Sequence, residues 1–476
     1  MRNILLIEPA YRNKYPPLGL MKISAYHKLL GDKVVFCKGT NLTLQQEKWD
    51  RIYITTLFTF YWNTTMKTIK YYQKSVSTPK NMFVGGPMAT IMAEEILSQQ
   101  GLEEISVFKG LLNVPNILDN NEYIVDDMVP DYSIIDTSYN EYLTYSYPVS
   151  DSFFVYATRG CIRKCDFCAV PIIEPRFCKY IDIKPNVENV IRQFGDRRDL
   201  MIMDNNILAS PDFKQIIQDI IDCGFGRNNN NYRYVKNGKE LTKKRYVDFN
   251  QGLDARLIYE HPEKMELLSL VAVKPLRIAF DHADDEFVEI YTRCMWLAAE
   301  NSIKVVSNYI LFNFEDEPND LYKRLEINVL LNAQFEKAGY RTRIWSFPMR
   351  FSPIEGEVSK GRKFLGEKWA RKQLRGIQCI LNATHGVVGY KLDYFKKAFG
   401  ENLDEFNKLI WMPEEYIIYR NYNIQNGNTG RWNELFCQLD DSSLSEFKAL
   451  IGDNVSVGIK SDNKLISELL SHYVKP

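Results

Sequence analysis

The sequence predicts an α/β protein: a doubly wound parallel sheet, then a partial barrel, then a mostly helical carboxyl-terminal region. Three observations carry this. Short apolar runs alternate with amphipathic stretches over residues 1–111, the alternation resumes after an interval rich in proline and acids, and beyond residue 357 the pattern turns mostly helical. The boundaries are 1–111 for the Rossmann-like domain, 112–152 for a linker, 153–357 for the barrel and 358–476 for the helical domain.

Residues 3–8 (NILLIE), 33–37 (KVVFC), 51–57 (RIYITTL), 82–85 (MFVG) and 105–108 (ISVF) read as short buried strands. Between them, 18–30, 63–73 and 90–99 carry apolar residues at the three-to-four spacing of amphipathic helices. Strand and helix in repeated alternation give a parallel sheet whose ligands sit beyond the carboxyl ends of its strands. Residues 112–152 lack the rhythm and contain Pro115, Pro130, Pro148 and many acids, as a linker draped between domains would. Strands near 153–157, 200–203, 246–249, 276–280, 304–311 and 343–349 then suggest a partial (β/α)6 barrel, with its chemistry on the loops that follow each strand. An insertion at 227–244 holds Asn228 to Asn231 in a row and the turn signal Asn237-Gly238. It precedes a strand, so it should project from the face away from catalysis, either as a polar surface hairpin or as a device for docking a partner.

At 476 residues the chain has length for roughly two to four domains. Lys plus Arg equal Asp plus Glu at 60 each, so no whole-chain field draws it to nucleic acid or membrane and any such preference must come from local patches. One patch is 360–375, with seven Lys or Arg against a single Glu and with Leu365, Trp369 and Leu374 interleaved. It reads as a basic amphipathic helix, either a solvated face over the barrel or a contact for nucleic acid or another anionic partner. The apolar run at 4–7 is too short for a signal peptide, and no stretch approaches the roughly 18 apolar residues of a membrane helix. The expectation is a cytoplasmic protein without a membrane partner. Nine cysteines, three of them within eight positions, do not look like a disulfide framework and suit a reducing compartment.

Those three are Cys161, Cys165 and Cys168, directly after the first barrel strand in Thr158-Arg-Gly-Cys-Ile-Arg-Lys-Cys-Asp-Phe-Cys168. Three thiolates so spaced can each bind one iron of an iron-sulfur cube and leave the fourth iron open. The alternatives are a zinc site, for which Cys178 is the only nearby fourth ligand, or three unrelated buried thiols. Cys178 itself reads as a packed thiol. Cys37, Cys223, Cys294, Cys379 and Cys437 are scattered, which argues against a second cluster.

The pattern C-x-x-x-C-x-x-C, with the aromatic Phe167 before its last cysteine, resembles the signature of the radical S-adenosylmethionine superfamily. The resemblance covers roughly 1–357 and is nearest to the branch with cobalamin-binding-type and methylthiotransferase-like members. It implies a 4Fe-4S cluster whose open iron is chelated by S-adenosyl-L-methionine, reductive cleavage to a 5′-deoxyadenosyl radical, and an electron donor such as flavodoxin or ferredoxin. It also brings in cobalamin as a cofactor and methyl transfer as the transferase chemistry. Asp204, Asn205 and Asn206 stand where that branch has an Asp-Asn pair. Asp204 is the candidate for the methionine ammonium, or else a helix cap. By the same resemblance Arg256, in the segment 250–256, and Asp281, at the end of the fourth strand, would contact carboxylate and ribose, against ordinary ion-pair and loop roles. His282 is the one histidine at such a strand end and reads as surface or hydrogen-bonded. The turn 315–318 matches the family's fifth-strand turn without its glycines.

Val84-Gly-Gly-Pro87 resembles the turn of the cobalamin-binding domain, where Gly85 and Gly86 would let the backbone approach a bulky ligand. No histidine lies in 9–18 and the Asp-x-His-x-x-Gly signature is absent, so a corrin would have no protein axial ligand and would lean on the aromatic wall at 53–62. The alternative is a degenerate domain that binds substrate or shapes the barrel mouth. The competing function is a zinc-clipped protein that binds an anionic polymer. The substrate lies beyond the sequence, because one cofactor site serves unrelated reactions.

Overall fold

A computed structural model of the chain describes residues 1–454 and 459–473. They divide into two compact units: 1–253 with 263–274 and 352–364, and 254–262 with 275–351 and the chain from 365 onward. The segment 153–357, expected as one barrel, contributes to both.

In the first unit a five-stranded sheet is built from β1 (Asn3–Glu8), β2 (Lys33–Lys38), β3 (Arg51–Thr55), β4 (Met82–Gly85) and β5 (Ser106–Val107). Its order is β2-β1-β3-β4-β5, parallel throughout, with Leu5 opposite Val35 on one side and Ile52 on the other. Ile4 to Ile7 are fully buried, as expected of a parallel strand covered on both faces. Chain order reverses at β1, which makes the β1/β3 boundary the switch point where such sheets open a crevice. The helices Leu18–Leu29 and Trp62–Tyr72 form where the spacing predicts them. The expected helix at 90–99 is instead two short ones, Pro87–Ile91 and Ala93–Leu97, broken where Met92 leaves helical geometry.

The same unit holds a three-stranded parallel sheet of β6 (Ser152–Val155), β7 (Asp199–Ile202) and β10 (Val247–Phe249), in the order β10-β7-β6. An antiparallel hairpin, β8 (Asn231–Lys236) and β9 (Lys239–Lys244), fills the insertion. Asn237 and Gly238 join its strands with φ of 52° and 73°, the two positive values a tight primed turn requires.

Residues 112–152 are fastened along their length to the first sheet and its helices. Asp119 accepts from Arg2 at 2.8 Å, Arg51 at 2.6 Å and Tyr26 at 2.8 Å. Asp131 accepts from Ser24 at 2.6 Å, and Asn140 donates to the carbonyl of Phe36 at 2.9 Å. The acids that mark this stretch as a linker are therefore its anchors.

The second unit carries the other three barrel-type strands, β11 (Leu276–Ala279), β12 (Val305–Phe312) and β13 (Arg343–Arg350), parallel and in that order. The helices Asp285–Glu300 and Pro318–Lys337 connect them, and the carboxyl-terminal helices pack on the second through Tyr322, whose ring meets Phe395 and Phe406. No helix among the described residues is long and apolar enough to cross a membrane.

Candidate active site

The cysteine loop is a closed excursion. After β6 the chain passes Ala157 and Thr158, and Arg159 pairs backbone to backbone with Cys178 on the returning chain, at 3.1 and 2.9 Å. Everything between, the three cysteines included, hangs from that pair. Gly160 makes the turn with φ +74°, and a Cβ there would stand 2.5 Å from the carbonyl oxygen of Arg176. Only glycine satisfies both the angle and the space. Cys161, Cys165, Phe167 and Cys168 are each half-buried, so the thiols are reachable without being surface groups. The Sγ of Cys161 accepts from the backbone N–H of Arg163 at 3.3 Å and from the side-chain amide of Asn206 at 3.4 Å. Hydrogen bonds of this kind to a ligating sulfur tune any cluster it holds. Among the described residues no three His, Cys, Asp or Glu side chains converge on a single ion. Three soft thiol donors on one loop suit an iron-sulfur cube, which takes each thiolate on a different iron.

A buried charge network stands behind the loop. Glu174 accepts from Arg159 at 2.8 Å, from the backbone N–H of Gly160 at 2.7 Å and from the amide of Asn205 at 2.9 Å. Arg159 also bonds Asp126 and lies over the ring of Tyr156, 3.6 Å from its centroid. Asp126 in turn pairs with Lys22, on the first helix, at 3.0 Å. A buried pair of this kind is expensive to break, since removing one partner strands the other charge. Nothing in the sequence singles out Glu174. It lies in an undistinguished Ile-Ile-Glu-Pro stretch, and only the reversal at Gly160 brings it back.

Asp204, the candidate for the ammonium, is 4% exposed and fully engaged. It accepts from the backbone N–H of Ala157 at 2.8 Å and from the hydroxyl of Thr158 at 2.7 Å, tying the end of β7 to the end of β6. It caps no helix. Burial pushes its pKa up to about 7, against the pull of those two hydrogen bonds. The neighbouring amides face the chemistry: Asn205 reaches Glu174 and Asn206 reaches Cys161.

A cleft of about 320 Å³ opens beside the loop. Leu57 to Phe60 follow β3, Pro87 and Ile91 follow β4, Tyr156 follows β6, Met203 and Asn205 follow β7, and Gln251 follows β10. Ala169 and Glu174 complete it directly after the last cysteine. The cleft therefore lies against the carboxyl ends of two parallel sheets, where both architectures place ligands. Its first-sheet side is apolar and aromatic apart from Thr59; its other polar groups are Tyr156, Glu174, Asn205, Gln251 and Ser352.

Gly85 and Gly86 sit at this edge for a packing reason. Gly86 has φ +103°, and a Cβ would stand 2.5 Å from the carbonyl oxygen of Thr56, while the Gly85 carbonyl accepts from the backbone and hydroxyl of Thr56 at 2.8 and 3.0 Å. The crevice expected to take a corrin is filled by the chain itself. Tyr11 is buried against Tyr61 and bonds Thr65, and Tyr147 packs down to bond Glu8 at the end of β1, which also pairs with Lys38 at 2.5 Å. A corrin needs several times the volume of the cleft. Tyr11 and Tyr147 thus occupy the space beyond β1 in this arrangement.

In the second unit Arg256 pairs with Asp254 at 2.7 Å and lies near the ring of Phe287. Asp281 is half-buried, and burial pushes its pKa up to about 6 against the pull of Arg324 and Arg256. The two candidates are thus electrostatic neighbours. His282 is exposed, edge-on to Phe287. Arg324 pairs with Asp316 of the 315–318 turn at 2.6 Å.

Two expectations need correction. Cys178 is exposed, because the backbone pair with Arg159 fixes its strand and leaves its side chain outward. The basic segment 360–375 is not one helix. Gly361 and Gly366 interrupt it, and helix starts only at Arg371, where Gln373 reaches back to the N–H of Ala370 at 2.8 Å. Its charges are partly spent: Lys360 bonds Glu357, Lys372 is buried on the carbonyl of Met412, and Arg375 pairs with Glu414 at 2.5 Å.

No protein-family model and no curated protein matches the chain. Solved structures that match include a radical S-adenosylmethionine methyltransferase, TsrM of Kitasatospora setae with tryptophan substrate and an S-adenosylmethionine analogue bound. It is 13% identical over 80% of this chain and 76% of that one, with a TM-score of 0.45. Another is OxsB, a cobalamin-dependent S-adenosylmethionine radical enzyme with aqua-cobalamin bound, 13% identical over 76% of this chain and 54% of that one, with a TM-score of 0.47.

Proposed function

We propose that this chain is a radical S-adenosylmethionine enzyme whose 4Fe-4S cluster is held by Cys161, Cys165 and Cys168. The observation that carries the reading is positional: three accessible thiols share one braced loop, and that loop borders the cleft at the strand ends. When bound, the cluster and S-adenosylmethionine supply one-electron cleavage of the sulfonium bond. The chain's own part is to hold and shield. Gly160 and the Arg159–Glu174 pair fix the loop. Asn206 and the N–H of Arg163 place donors on Cys161. Asn205, Gln251 and Glu174 present amides and a carboxylate toward the cleft, suited to an amino-acid head group. The apolar residues after β3 and β4 keep water from that edge.

Anaerobic reconstitution with iron and sulfide tests the reading. It should give roughly four irons per chain, and 5′-deoxyadenosine should form with S-adenosylmethionine and a low-potential reductant, both lost on replacing any of the three cysteines by Ala. Stoichiometric zinc without sulfide, or cluster retention in a triple Ala variant, would overturn it.

A further inference from the structure

The hairpin β8–β9 divides its side chains unequally. Cross-strand register puts Tyr232, Tyr234 and Lys236 on one face with Lys243, Leu241 and Lys239, and puts Arg233 and Val235 with Thr242 and Glu240 on the other. On the second face Arg233 pairs with Glu240 at 3.8 Å, and Lys244, opposite Asn231, donates to the side-chain oxygens of Asn230 and Asn231 at 3.1 and 2.9 Å. The first face has no acid at all, and none of its three lysines makes an ion pair among the described residues; Lys243 merely lies over Tyr234, 4.8 Å from the ring centroid. Its two tyrosine rings are parallel to within 10°, with centroids 5.9 Å apart.

The hairpin is no part of the core. A connection before a strand in such folds needs only a few residues, and a lone two-stranded ribbon is marginal in water. Here it is rooted by Arg245, which pairs with Asp196 at 2.7 Å and has its carbonyl held by Asn230 at 2.9 Å. It stands before β10, at the amino-terminal edge of its sheet, while the cleft lies at the carboxyl edge. The chain as a whole is neutral, so this unspent positive face is a local feature.

We propose that this face is a docking platform for single-stranded nucleic acid. Lysines without acids neutralise phosphates, and parallel aromatic rings offer stacking surface to unpaired bases, the combination by which single strands are held without sequence readout. Side chains on one face of a strand recur about every 7 Å, which suits successive bases of an extended strand. A duplex keeps its bases stacked internally and gives the tyrosines nothing to cover. A lipid surface would want more apolar anchor than the single Leu241. The inference stands apart from the cysteine loop and holds with or without a cluster.

Fluorescence anisotropy of the full chain with labelled oligouridine and oligothymidine of about a dozen nucleotides tests it. A duplex of the same length and phosphatidylserine vesicles serve as competitors. Tyr232→Ala with Tyr234→Ala should weaken binding about tenfold or more, and Lys→Gln at 236, 239 and 243 should flatten the dependence of log K on log salt by about 2. Arg233→Gln with Glu240→Gln, on the opposite face, should stay within about twofold. Unchanged far-ultraviolet circular dichroism shows that the variants fold. Absence of single-strand binding, preference for duplex or vesicles, indifference to the tyrosine and lysine variants, or an equal loss in the opposite-face control would each overturn the proposal.

Discussion

Replacing Asp204 by Asn removes a carboxyl that is buried without a cation in contact, and its effect should depend on pH in one direction. The folded pKa of about 7 lies above the ordinary 3.8. The fold therefore binds this proton more tightly than the unfolded chain does, and the resulting stability is fully present below about pH 4 and is lost as pH rises through 7. A difference of roughly three units is worth about 4 kcal/mol at most, falling away at up to about 1.4 kcal/mol per pH unit. Asn cannot ionise. Its carbonyl can still accept from the N–H of Ala157, and its amide can donate to the Thr158 hydroxyl, at a cost of about 1 kcal/mol for the rearranged bond. The Asp204→Asn variant should thus match or fall slightly below the parent near pH 4 and exceed it by about 3 kcal/mol near pH 8. Thermal unfolding followed across that range should show the parent's midpoint drifting down relative to the variant's by about 2 °C per pH unit up to pH 7. Parallel curves, or a variant less stable at pH 8, would refute the assignment of Asp204 as a neutral tie between two strand ends.

Gly160→Ala forces a side chain into positive φ at about 1–2 kcal/mol and drives its Cβ onto the Arg176 carbonyl; iron content after reconstitution should fall by more than half while circular dichroism stays native. Glu174→Ala strands Arg159 with Asp126 alone and should cost about 3 kcal/mol in urea unfolding, the low end for a broken buried pair because one partner remains. Hydroxocobalamin should leave the chain on gel filtration even when the iron-sulfur cluster is intact; stoichiometric retention of corrin would show that the crevice under Tyr11 and Tyr147 opens.

Much of the architecture was legible because buried parallel strands are continuous apolar runs. The five strands of the first sheet and the six that follow lie within two residues of where NILLIE, MFVG and their counterparts predict them. The hairpin was legible through Asn237-Gly238, a local signal that needs no tertiary knowledge. Legibility failed wherever a side chain's partner lies far along the chain. Nothing near Glu174 announces that it will meet Gly160 and Asn205, and Asp204 could be placed after a strand but not turned inward onto Thr158. The basic stretch misled because its apolar spacing outweighed Gly361 and Gly366; at Gly366 a Cβ would stand 2.9 Å from the carbonyl oxygen of Phe314, so that chain path belongs to glycine.

The pairing of Lys22 with Asp126, and of Asp126 with Arg159, has a consequence for heredity. The first helix and the loop bearing the thiols share one electrostatic unit across more than a hundred positions of sequence. A crossover in the 112–152 stretch that imported a foreign amino-terminal half would bring a residue at position 22 never selected to face this aspartate, and the mismatch would be felt beside Cys161. The two halves should therefore travel together through evolution, with changes at 22, 126 and 159 arriving as correlated sets.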